Sequence, residues 1–163
     1  MTEKEFEHLI YQSKDKLYRF AYRILNCQEE AKDAVQEVVL RLWMRRQKLN
    51  TERNIESLCM TMLKNYCIDQ LRKQKQLQLF QENRENNKYD RQNFEQIDLV
   101  EQLRQQLTRL PLQQQIALHL KDFQGLDYEE ISQIMQIPVN AIRVHVSRGR
   151  KKLGSIFKAE YTK

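Results

Sequence analysis

Apolar residues along the chain recur mostly at three- and four-residue steps, the period of helices packed on one side. Phe6, Leu9, Ile10, Leu17, Phe20, Ala21 and Ile24 keep this register and predict one long helix or two short ones, ended at Asn26-Cys27. Glu29 and Glu30 then place acids in the first turn of a helix over about 29–46, where they suit the helix dipole. Its inner face is Ala31, Ala34, Val35, Val38 and Leu42. QKLNTERN (47–54) reads as a loop. IESLCMTMLKNYCIDQLRKQK (55–75) reads as a further helix, with Leu58, Cys59, Met62, Leu63 and Tyr66 turned inward.

The rhythm then stops. QLQLFQENRENNKYDRQNFEQ (76–96) is Gln, Asn and charge without a sustained apolar period, too little to bury a core of its own. It predicts a linker over 76–98, between a domain at 1–75 and another at 99–163. In the second block Leu99, Leu103, Leu107 and Leu110 share a face, and Pro111 suits the first turn of the next helix. That helix is expected to bury Leu112, Ile116, Leu120 and Phe123 and to end at Gly125. Asp127, with Glu130 three residues on, predicts a capping box worth about 1 kcal/mol. Ile131, Ile134 and Met135 point inward before a turn at Gln136-Ile137-Pro138, and a last helix follows. The fold class is therefore all-α: two small helical domains, the second a four-helix domain containing a helix-turn-helix.

Composition agrees, with three Gly, two Pro and 31% charged residues. No apolar run approaches the roughly 18 residues of a membrane span, and MTEKEFEHLI lacks the plan of a signal peptide. Membrane insertion is not expected, and a cytoplasmic location is. Cys27, Cys59 and Cys67 are odd in number and never spaced C-x-x-C, so buried free thiols are expected rather than disulfides or a metal site. The formal net charge of +6 favours a polyanion or an acidic partner. Its distribution is uneven: 15 Lys/Arg against 11 Asp/Glu in 1–75, 3 against 5 in 76–98, and 10 against 6 in 99–163.

The last helix carries the most pointed chemistry. In IPVNAIRVHVSRGRKKL (137–153), Ile142, Val146, Gly149 and Leu153 fall on one side. Asn140, Arg143, Val144, Ser147, Arg150 and Lys151 fall on the other, with Arg148 at its border. A cationic outer face of modest side chains suits a helix that enters the major groove with its N-terminal residues at the bases. Arg143 suits a bidentate pair with guanine and Val144 a thymine methyl, while the cations farther along suit phosphates. Dipole complementation alone accounts for Lys151 and Lys152 but not for Arg143. Gly149, costing about 1 kcal/mol in a helix interior, is explained by close packing against the preceding helix.

Two fainter faces lie in the first block. Thr61, Asn65, Ile68, Arg72 and Lys75 make a straight stripe that suits a phosphate backbone and a base edge. It equally resembles a solvated face with pairs such as Asp69 and Lys73, and on pattern alone that plainer reading leads. Asp33, Gln36, Glu37 and Arg41 likewise read first as a solvated face. His8 and His119 sit among apolar residues without ligand-spaced partners and read as structural, His145 borders the cationic face, and Trp43 anchors the core of the first domain or its rim. Neither a phosphate-cradling glycine loop nor an acid/base pair stands out, so no enzyme, cofactor or metal is expected.

The order of these segments resembles the extracytoplasmic-function (ECF) group of bacterial RNA polymerase sigma factors. DAVQEVVLRLW and LKNYCIDQLRK are similar to the family's D-x-V-Q-E-V-F-L-R-x-W and A-R-N-x-x-x-D-x-L-R segments. GLDYEEISQIMQIPVNAIRVHVSRGRKKL is similar to its G-x-S-Y-x-E-I-A…P-V-G-T-V-x-S-R-x-x-R-A-R-x-x-L run. The resemblance implies a promoter-specificity subunit that binds core RNA polymerase, through its clamp coiled coil and flap, and promoter DNA. Asp33, Gln36, Glu37 and Arg41 would meet the clamp coiled coil. Thr61, Asn65, Arg72 and Lys75 would face the −10 element, with Asn65 at a flipped base. Asn140, Arg143, Val144, Ser147, Arg148, Arg150 and Lys151 would face the −35 element. An anti-sigma partner, and a monomer when free, are further implications. The chain departs from the family at Asn140-Ala141 (usually Gly-Thr), Val144 (Ser), His145 (often Arg) and Leu58 (often Trp). Two rivals remain on sequence grounds: a conventional helix-turn-helix regulator binding a palindrome without polymerase, and an adaptor whose basic faces meet an acidic protein.

Overall fold

Thr2 opens the first helix. Its hydroxyl accepts from the Glu5 N–H at 3.3 Å, and the Glu5 carboxylate accepts from the Thr2 N–H at 2.8 Å. The pair satisfies two amides that a helix start leaves over, and the bond from the Thr2 backbone holds the Glu5 carboxyl below its usual range. The computed structural model describes residues 1–50, 54–81 and 99–161, with side chains through residue 155. Residues 51–53 of the expected loop and 82–98 of the expected linker lie outside the described residues. The elements are α1 (Glu3–Leu25), α2 (Gln28–Met44), a 3-10 turn (Arg46–Lys48), α3 (Ile55–Gln81), α4 (Leu99–Thr108), α5 (Leu112–Leu118) running into a π-helical turn (His119–Phe123), α6 (Tyr128–Met135) and α7 (Val139–Tyr161). Among the described residues there is no strand.

The first apolar run forms one long helix, and Asn26 stops it. Asn26 takes a left-handed conformation (φ 54°), with its N–H on the Tyr22 carbonyl at 2.8 Å. Asn tolerates that region because its short polar side chain bonds locally. α1, α2 and α3 pack around Leu17, Phe20, Ala21, Ala34, Val38, Leu42 and Leu63, all nearly inaccessible. Trp43 closes one end, edge-on to Phe6 at 5.4 Å with the Arg46 guanidinium 3.8 Å above its ring. The cysteines are free, and burial pushes the Cys59 and Cys67 thiols up to about 12.

α3 runs six residues farther than the expected boundary at 75. Residues 76–81 are all exposed, and this extension packs on no described residue. Gln and Leu are good helix formers, and lengthening an existing helix avoids the cost of nucleation.

In the second half, α4–α7 enclose Leu107, Ile116, Leu118, Leu120, Ile131, Ile134, Ile142 and Val146. Pro111 stands just ahead of α5, as its cap, and Gln115 ties the junction by donating to the Leu110 carbonyl at 2.7 Å. Two expected core residues are outside: Leu99 at 56% exposure and Phe123 at 57%. The wider π turn changes the angular step along the helix and carries Phe123 off the buried side. Gly125 (φ 70°) then reverses the chain. The Asp127 carboxylate accepts from the Glu130 N–H at 2.8 Å, the half of the capping box in which Asp127 is the acceptor.

The halves pack together. α1 lies against α5 and α3 against α6, and one continuous apolar cluster spans both. Leu58, expected inside, is 39% exposed, while Met60 and Lys64 are buried. Met60 lines a small void with Ile134 of α6, and Lys64 sits one turn along the same stripe. On the other side of the seam the His119 ring lies 5.7 Å from Phe20 and 5.7 Å from Phe123. Gln124 donates to the Lys16 carbonyl at 3.3 Å and lies 3.2 Å from His119 Nε2.

Burial, with Arg23 and Arg19 nearby, lowers the His119 pKa to about 4, so the ring is neutral at pH 7. The unfolded chain binds this proton from about pH 6.5, the folded chain only near 4; stability is therefore lost as pH falls through that window. The shift corresponds to roughly 3 kcal/mol. In urea unfolding at pH 7 and pH 4, His119→Gln should lose less stability than the parent by about that amount. Equal losses would show that the His119 ring does not sense the seam.

Candidate nucleic-acid interface

α6, a tight turn and α7 form the helix-turn-helix. Gln136 makes the turn in a left-handed conformation (φ 58°), with its N–H on the Ser132 carbonyl at 2.8 Å, and Pro138 leads into α7. The Ser132 hydroxyl donates to the Ile137 carbonyl and fixes the turn from the α6 side. Ile142, Val146 and Gly149 are buried, and Leu153 is half-buried.

Asn140, Arg143, Val144, Ser147, Arg148, Arg150 and Lys151 are all exposed, as the helical period requires. His145 is half-buried at the edge of this face. The cations differ in freedom. The Arg143 guanidinium stands 5.3 Å over the Tyr128 ring, which Lys121 also approaches at 4.4 Å. Arg150 is engaged: its Nε donates to Asp122 Oδ2 at 3.0 Å and its Nη2 to Asp122 Oδ1, a fork that raises its pKa further. No such clamp holds Arg148 or Lys151 among the described residues. The face therefore presents one fewer open cation than its sequence suggests.

On α3 the stripe is real but not uniform. Asn65, Arg72 and Lys75 are exposed, Thr61 and Ile68 half-buried. The Thr61 hydroxyl donates to the Ser57 carbonyl at 2.9 Å. Arg72 pairs with Asp69 at 3.8 Å, where Lys73 had been the expected partner. The Asn65 amide bonds to no described residue, so its donor and its acceptor both face outward. The neighbouring Lys64 is buried, and burial depresses its pKa.

On α2, Asp33, Gln36 and Arg41 are exposed and Glu37 half-buried. Arg41 Nε meets Glu37 Oε1 at 2.8 Å and lies 5.4 Å over Tyr66, which ties this face to α3. Beside it runs an open, mainly apolar groove of ≈ 580 Å³ between α1 and α2, walled by Ile10, Tyr11, Val39, Leu40 and Trp43. Tyr11, Leu40 and the nearby Met44 are 70%, 53% and 69% exposed. Their helical spacing was the available signal, but they read as ordinary members of amphipathic helices until the packing left them uncovered. Among the described residues no group of His, Cys, Asp and Glu could hold a metal ion, and no helix is long and apolar enough to cross a membrane.

Residues 9–76 match the family model Sigma-70 region 2, and residues 100–153 match Sigma-70, region 4. The chain is 25% identical over 153 residues to the ECF RNA polymerase sigma factor SigW of Bacillus subtilis (strain 168), across 86% of the chain and 82% of that protein. It is 30% identical over 130 residues to the RNA polymerase sigma factor SigZ of the same organism, across 79% and 73%. The sigma factor RpoE of Bartonella quintana, solved in complex with the anti-sigma factor NepR, superposes with a TM-score of 0.80 over 95% of this chain and 98% of that one. At 23% identity that likeness is one of fold.

The seat of α7 depends on Gly149. A Cβ there would stand 2.6 Å from Leu118 Cδ1, and Leu118 is only 1% exposed. The close approach is to α5 rather than to α6, the helix that precedes α7 in the chain. Gly149→Val should destabilise by about 1–3 kcal/mol through overpacking. Gly154→Val, where a Cβ meets nothing within 4 Å, should be close to neutral in the same urea titration.

Proposed function

The chain belongs to the sigma-70 family of RNA polymerase sigma factors, in the extracytoplasmic-function group, and directs transcription initiation; from that premise we propose how its faces share the work. One observation carries the division. A single chain presents, in family order, an α3 stripe with an unengaged amide and an α7 face with every predicted position exposed.

The α2 face of Asp33, Gln36, Glu37 and Arg41 docks the clamp coiled coil of core polymerase. The apolar groove at Tyr11 and Leu40 adds the buried area that charged groups alone would not supply, because exposed ion pairs contribute little. α3 meets the −10 element: Arg72 and Lys75 follow the phosphates, and Asn65 offers one donor and one acceptor to an extruded base. On α7, Arg143 and Val144 read base edges of the −35 element, while Ser147, Arg148 and Lys151 hold backbone. Asn140 sits at the groove-entering end of the helix. Arg150, clamped by Asp122, positions the helix more than it neutralises phosphate. The domain boundaries near 75 and 99 follow the same division, and the intervening segment sets the effective concentration of the second contact once the first is made.

The family is a non-enzymatic regulator, and the work here is done by binding. The protein acts in the cytoplasm, where the polymerase is. RpoE was solved with an anti-sigma factor, which supports a partner of that kind for this chain; no residue identifies it. The palindrome-binding regulator is disfavoured because the first half matches a sigma region over most of its length.

Transcription with purified core polymerase tests the reading on a promoter found by run-off from genomic fragments. Arg143→Ala with Arg148→Ala should lower initiation at least about tenfold, the scale of one lost base contact, while binding to core polymerase survives. Lost core binding would mean that the faces are misassigned. Asn65→Ala should reduce permanganate-detected opening of the −10 region more than it reduces duplex binding. Unchanged opening would remove Asn65 from that role.

A further inference from the structure

We propose that the seam between the halves carries a small-molecule site for a nucleoside polyphosphate, in the cleft between α1 and the α4–α5 pair. The cleft has a volume of ≈ 410 Å³, within the range of pockets that hold one small molecule and too small for a folded strand. Arg19 and Arg23 enter it from α1 and Arg104 from α4. One carboxylate answers them among the described residues: Glu101 stands 3.6 Å from Arg104. Arg23 donates to the Arg104 carbonyl at 3.5 Å, a weak bond for a half-buried guanidinium. Burial and the neighbouring Arg104 both hold the Arg23 pKa below its usual value, so among the described residues the cleft carries an excess of positive charge that a multivalent anion would relieve.

The remaining walls are aromatic. Tyr18 and Tyr22 stack on one side, with centroids 6.2 Å apart and planes 21° from parallel. On the other side Phe123 lies stacked on the neutral His119 ring, with planes 17° from parallel, and remains 57% exposed. An apolar residue held outside the core at the mouth of a cationic cleft suits a planar base, as the guanidiniums suit phosphates. The site draws on both halves, so its ligand would favour the packed arrangement by linkage. None of this rests on the assignment of the DNA-facing or polymerase-facing residues.

Equilibrium dialysis of the full chain against ATP and GTP tests the proposal, with adenosine, inorganic tripolyphosphate and a five-nucleotide single strand as comparisons. One saturable site is expected for at least one triphosphate, at least about tenfold tighter than for adenosine or tripolyphosphate alone. Arg19→Gln with Arg104→Gln, both exposed positions, should weaken it at least about tenfold without changing the melting temperature. Arg143→Gln with Arg148→Gln should leave it unaltered. The proposal is overturned if no saturable binding occurs, if binding follows the α7 arginines, or if the single strand binds more tightly than either triphosphate.

Discussion

The packing of α3 on α6 is the contact on which the remaining geometry turns. Two units of about 75 and 65 residues are each near the size at which a helical core is marginal. Joined, they form one apolar cluster. The join decides which side of α3 is covered: Met60 faces Ile134 of α6 across a small void, while Asn65 stays in the open. It also fixes the helix-turn-helix from behind. α6 uses one side against α3 and another against α7, so the cationic face of α7 is left pointing away from the core.

A seam assembled in this way is not an ordinary core. It buries a histidine that must remain neutral, and it contains Gln124 bridging to a backbone carbonyl across the halves. Interfaces between domains of one chain are commonly this polar and come apart more readily than obligate ones.

These features explain which parts of the molecule the sequence disclosed. The helical class, the turn at Gln136 and the outward face of α7 follow from local spacing and capping, and each appears where spacing put it. On α3 Cys59 and Leu63 are buried as spacing predicts, but the covered side also takes in Met60 and Lys64 and leaves Leu58 out. Met60 and Lys64 sit four apart, but a lysine in the stripe disguised it, and only a partner distant in sequence explains its burial. Phe123 lies off the side that spacing predicts because a π turn is invisible to a fixed 3.6-residue period. Gly149 was correctly read as a close approach, yet the helix that approaches is α5, again a tertiary fact. The outward place of Arg143 follows from helical spacing and is where the structure has it, whereas the α3 stripe around Asn65 reads on pattern alone as a solvated face, and only the family resemblance gives it a further part.

Arg150 shows why charge counting overstates a binding face. By spacing it belongs with the other cations of α7, and nothing local distinguishes it. The π turn brings Asp122 to it, and a two-pronged bond then spends the guanidinium on holding α7 to the end of α5. The same turn exposes Phe123 and stacks it on His119 beside the seam. One irregular turn thus links the placement of α7 to the shape of the seam cleft. A change at the cleft that shifts His119–Phe123 would reach α7 through the Asp122–Arg150 bond without any other residue of its cationic face being touched.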